Sequence, residues 1–175
     1  MSRKLAICAI AATTLAAGHA NAFASPGPTP AQIRAAVRHA EYSRQLWTTI
    51  NVCNTPSNRD RIGIRGQMPA LGFPARLSMT VQVDYWDAAA KVFRPVPGPT
   101  GHAQVNLGTV LDGLEQGGHT FQFPAGTGLL SGTITFQWRR AAKVIGRVTK
   151  PATGGHHGVG GGDPPHHSGA TCTIS

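Results

Sequence analysis

The stretch Thr133-Ile134-Thr135-Phe136-Gln137-Trp138-Arg139-Arg140 decides the fold class. Ile134, Phe136 and Trp138 alternate with Thr135, Gln137 and Arg139. A period of two gives a strand one apolar face and one wet face. Ala141-Ala142 breaks the run. Lys143-Val144-Ile145-Gly146-Arg147-Val148-Thr149-Lys150 then follows, with Val144 and Val148 on one face and Ile145 on the other. The pair reads as the central hairpin of an all-β domain, although the break carries no Asn-Gly type turn signal.

Outward from this hairpin, the clearest strand places Leu77, Met79, Val81, Val83 and Tyr85 on one face and Ser78, Thr80, Gln82 and Asp84 on the other. Asp87 to Ala90 turns the chain into Lys91-Val92-Phe93-Arg94, which Pro95 ends by removing a ladder donor. Earlier, Leu46 to Cys53 and Arg61 to Arg65 alternate. Later, His102 to Leu107 and His119 to Phe123 do so, with Thr109 to Gly118 read as loop between them. Ala170 to Ile174 closes the chain. Many short strands separated by Gly/Pro turns, with no βαβ alternation, predict an immunoglobulin-like β-sandwich of about 7–9 strands.

One short N-terminal helix precedes the strands. Thr29 is suited to the N-cap, Pro30 to the first helical position, and Gln32 completes a capping box. Ile33, Ala36, Val37 and Ala40 recur at helical spacing, predicting a basic helix over 31–43 that packs across one end of the sandwich. Residues 23–30, rich in proline, read as a linker. Residues 1–22 read as a secretory signal peptide: Arg3 and Lys4, then an uncharged apolar run to Ala17, then Ala20-Asn21-Ala22. Ala22-Phe23-Ala24 is a second cleavage candidate. The expected product is a single domain over 31–175, secreted into the extracellular or periplasmic space, with no stable membrane insertion once the signal is removed.

The 175-residue chain has 16 Lys and Arg against 7 Asp and Glu. Loss of Arg3 and Lys4 leaves fourteen basic residues. Loss of Cys8 leaves Cys53 and Cys172, an even pair that in an exported protein reads as one disulfide. Two free thiols or a metal-binding pair are the alternatives. The bridge would tie an early strand to the last one.

The pieces Leu46-Trp47-Thr48-Thr49-Ile50-Asn51-Val52-Cys53-Asn54-Thr55-Pro56, Ile62-Gly63-Ile64-Arg65, Phe136-Gln137-Trp138-Arg139-Arg140 and the ending from Asp163-Pro164-Pro165 to Cys172 resemble a set of uncharacterised exported β-sandwich proteins of high-GC bacteria. The resemblance spans most of the chain after the signal. It implies the sandwich fold and export, and implies no activity, cofactor or partner.

Three groups of residues carry candidate chemistry. His156, His157, His166 and His167 lie with Asp163 in a Gly/His-rich loop over 151–169, and neutral imidazoles ligate zinc, copper or nickel. Against a metal site stands the spacing, which matches no known site, so a solvated loop is the expectation. Trp47 and Trp86 fall opposite the main apolar alternation. Exposed, they would stack on sugar rings; packed, they belong to the core. Arg139, Arg140, Lys143 and Arg147 cluster on the hairpin and would meet an anionic cell-envelope polymer, or else only guard an edge strand from aggregation. No G-x-S-x-G or H-E-x-x-H occurs, and His102 and His119 have no evident partner. The sequence therefore predicts a non-catalytic module without cofactor, in a structural or binding role. Its partner is unspecified beyond an envelope polymer or another exported protein.

Overall fold

The computed structural model describes residues 27–175. The signal-peptide and cleavage-site readings, and the linker up to Pro26, lie outside the described residues. Helix α1 (Pro30–Glu41) begins at the expected cap: the Gln32 amide donates to the Thr29 hydroxyl, and the Gln32 side chain accepts from the Thr29 amide. Val37 and Ala40 are its buried residues.

Nine strands follow among the described residues: β1 (Trp47–Thr55), β2 (Asn58–Pro69), β3 (Ala75–Asp87), β4 (Val92–Pro95), β5 (His102–Val110), β6 (Leu114–Gln122), β7 (Gly128–Arg140), β8 (Lys143–Pro151) and β9 (Cys172–Ile174). They form two sheets that face each other as a β-sandwich. The smaller sheet is ordered β1-β2-β6. The larger is centred on β3 and β7, paired from Arg76↔Arg139 to Tyr85↔Leu130. β4 and β5 share one edge of β3, while β8 and β9 share the far edge of β7.

The core lies where the predicted apolar faces meet. Ile62, Ile64 and Met68 of β2 face Leu77, Met79 and Val81 of β3 and Ile134, Phe136 and Trp138 of β7, all at most 1% exposed. Each such side chain contributes about 1.5–3 kcal/mol by leaving water. The Trp138 indole N–H donates to the Pro69 carbonyl at 2.8 Å, so its one polar group is satisfied in the core. Cys53 and Cys172 are bonded at a sequence separation of 119, and this joins β1 to β9 across the sandwich.

The structure corrects three expectations about strands and loops. Thr109 to Gly118 is not a loop: β5 runs on to Val110 and β6 starts at Leu114. Their turn is hidden in the sequence because Gly113 bends at φ 94° between strands that themselves contain Gly108, Gly117 and Gly118. The alternation in β8 is broken by a register shift opposite Trp138 and Arg139, so Ile145 and Val148 both pack against the core. Finally, residues 152–169 are not simply solvated. They run as a latch along the open edge of β1, bridging Thr48↔Ala152, Val52↔Asp163 and Ile50↔Gly169.

The latch has its own polar anchors. The Asn51 side-chain amide donates to the carbonyls of Gly160 at 3.2 Å and Gly161 at 2.8 Å. Gln116 donates to the Gly158 carbonyl and accepts from the Gly160 amide. Asp163 accepts from Thr55, from Ser57 at 2.5 Å and from Asn58 at 2.6 Å, and these bonds hold its carboxyl below the usual range. Pairing the β1 edge in this way removes a template for aggregation.

Candidate functional site

The hairpin predicted from the sequence is present with a two-residue turn, but only its first strand, β7, is central; β8 lies at an edge of the larger sheet. Ala141 takes φ 50°, and Arg139 donates to the Ala142 carbonyl at 2.9 Å, which closes the turn without an Asn-Gly pair. Register then places charges against one another. Arg140 lies directly opposite Lys143, and Arg139 lies directly opposite Arg76 at the start of β3. Like charges facing each other across a ladder are destabilising. Among the described residues the one ion pair is Arg94 with Asp87, at 2.6 Å on the β3–β4 hairpin. Neither like-charged pair is therefore neutralised by a carboxylate of the described chain.

Beside the Arg140–Lys143 pair α1 crosses the end of the larger sheet, whereas Arg76 and Arg139, next to the buried Leu77 and Trp138, are on its outer face. Pro30, Ile33 and Arg34 from the helix meet Arg140, Ala141, Lys143, Val144 and Ile145 from the hairpin around a groove of about 760 Å³. Its floor is apolar, and Arg34, Arg140 and Lys143 are exposed along it. Arg147 is exposed on β8, where it faces Gln137. A cationic rim around an apolar floor suits a ligand with anionic groups on a less polar backbone. Of the basic residues expected at the site, Arg139, Arg140 and Lys143 are thus brought to the hairpin end, while Arg147 lies at the middle of β8. The sequence did not single out Arg76, whose partnership with Arg139 depends on the β3–β7 register.

The two tryptophans do not join this end. The reading of Trp47 as an exposed sugar-stacking platform is corrected: it is 6% exposed, and the His156 ring stacks on it at 4.9 Å between centroids. The Gly/His-rich latch covers the outer face of β1, where Trp47 lies. Trp86 is 39% exposed and packs edge-on against Phe93 at 5.1 Å. It lies ten residues from Arg76 along β3, roughly 33 Å at a strand's rise, so it belongs to the opposite end of the sheet.

The four histidines are not brought together either. No group of three or more His, Cys, Asp or Glu side chains among the described residues is placed to hold a metal ion. The His156 ring nitrogen bonds the Thr153 hydroxyl at 2.7 Å, and its amide donates to Ser168. His157 and His166 are exposed, and His167 is half-buried. Asp163 is occupied by its three side-chain donors. Metal chemistry needs convergent ligands, whereas His156 and Asp163 are engaged in packing and hydrogen bonds.

No protein-family model matches the sequence. No curated protein is similar to it at a significant level. Among solved structures the chain is similar to one described as "putative beta-galactosidase from bacteroides fragilis", at 14% identity and a TM-score of 0.33. The match covers 63% of this chain and 16% of that one, so this chain spans a small part of that protein's length.

Proposed function

We propose that the chain is an exported, non-catalytic β-sandwich module that binds an anionic polymer of the cell envelope through the Arg76, Arg139, Arg140 and Lys143 end. The observation that carries this reading is the two like-charged cross-strand pairings at this end, Arg76↔Arg139 and Arg140↔Lys143, the second of them beside the cation-rimmed groove under α1. Each pair costs folding stability, and a polyanion would supply the missing countercharge. The Cys53–Cys172 bond supports export, because disulfides persist in oxidising compartments. No helix among the described residues is long and apolar enough to cross a membrane.

The test is calorimetric titration of the mature protein with alginate, an acidic polysaccharide, and with dextran as a neutral control. An Arg76→Gln/Arg140→Gln variant breaks both like-charged pairs. The expected result is binding to alginate alone, at least tenfold weaker in the variant. Equal affinity in variant and wild type, or equal binding to dextran, contradicts the reading.

A further inference from the structure

A second cation lies away from this end and is enclosed differently. Arg65 projects from the outer face of β2, under the Gly160–Gly161 segment of the latch. A β-carbon at Gly161 would sit 3.1 Å from one guanidinium nitrogen, and one at Gly160 would sit 3.4 Å from the other. The two glycines thus leave just enough room for the guanidinium beneath them. Its Nε is buried and has no hydrogen-bond partner among the described residues, nor does any carboxylate there pair with it. Burial disfavours its charge and lowers its pKa.

Next to it is a recess of about 160 Å³ lined by Asn51, Ile64, Arg65, Gly118, His119 and Thr120. Register explains the recess. On β2 and β6, Arg65 faces Gly118, so no side chain stands opposite it across the ladder. The volume equals about five water molecules in the liquid, enough for one small group and too little for a polymer segment.

A half-buried guanidinium without a countercharge is costly, and planar oxyanions are its best-matched partners. We infer that the Arg65 recess beneath the Gly160–Gly161 segment is a binding site for a small oxyanion group, a carboxylate, sulfate or phosphate. The site is separate from the basic end, and its occupation would tie β2 and β6 to the latch.

The test is an amide and guanidinium nitrogen–proton NMR titration of the full mature protein. Sodium acetate, sulfate and phosphate are added in turn, with chloride holding ionic strength constant. The expected result, for at least one of the three anions, is a saturating shift shared by Arg65 Nε–H and the amides of Gly118, Gly160 and Gly161. Which anion saturates first separates a carboxylate site from a tetrahedral one. Arg65→Lys should weaken it at least tenfold, and Arg76→Gln/Arg140→Gln should leave it unchanged. Linear shifts with all three anions in the wild type overturn the inference without needing any variant to fold. Saturating shifts that persist undiminished in Arg65→Lys also overturn it. Failure of the wild type to bind alginate, with the anion site intact, would count against the basic end alone.

Discussion

At Gly66 the two sheets approach closely enough to exclude a methyl group. A β-carbon there would lie 2.8 Å from Ile134 Cδ1 and 2.8 Å from Phe136 Cζ. Gly66→Ala should destabilise the fold by about 1–3 kcal/mol through overpacking, read from the urea midpoint at unchanged slope. His156 carries a pH dependence. Burial, then the charge of His157, lowers its pKa from the ordinary 6.5. The folded state therefore binds fewer protons on this ring than the unfolded chain does. The ring's contribution is complete above pH 6.5 and is lost as pH falls through its lowered folded-state value. The thermal midpoint should fall from about pH 8 to about pH 5 more steeply in the wild type than in His156→Gln. Parallel profiles would mean that the Trp47 stack is indifferent to the charge on the imidazole.

At the scale of elements, the latch over β1 is the feature that composition hid most completely. Its glycines and histidines read as solvent-exposed low complexity, whereas the chain uses glycine at 160 and 161 to pass over Arg65 and His156 to cover Trp47. Asn51→Ala removes both side-chain bonds to the segment and should cost about 1–3 kcal/mol. Amide exchange across 152–169 should accelerate well beyond that of β3 and β7; uniform acceleration would show that the segment has no separate opening. The strands with strict alternation, β3 and β7, were legible in sequence because a sustained period of two has one structural meaning. The capping box of α1 was legible for the same reason, being a local signal. β5 and β6 were not, since their glycines imitate a loop, and neither was the bulge in β8, which no local pattern announces. The basic hairpin was visible as a cluster, but its pairing with Arg76 is a long-range matter of register.

For the whole molecule, the disulfide and the surface charge set opposing terms. The bridge closes a span of 119 residues, and the chain-entropy model gives it about 4–5 kcal/mol. Reduction, or Cys53→Ala/Cys172→Ala, should lower the thermal midpoint by more than any single core truncation of methyl size; an unchanged midpoint would assign closure of the sandwich to packing alone. The like-charged pairs act the other way. Arg76→Gln should raise stability by about 0.2–1 kcal/mol in the absence of polymer, even as it weakens polymer binding. That trade-off distinguishes a binding surface from edge protection, in which the arginines would have no bound counterpart to lose.

The most direct measurement is the salt dependence of alginate affinity for the wild type and for Arg76→Gln/Arg140→Gln. If the unpaired cations of this end displace counterions from the polymer, the logarithm of affinity falls linearly with the logarithm of salt concentration. The variant's slope should then be shallower by about one to two units. An unchanged slope in the variant, or wild-type affinity insensitive to salt, would contradict the account.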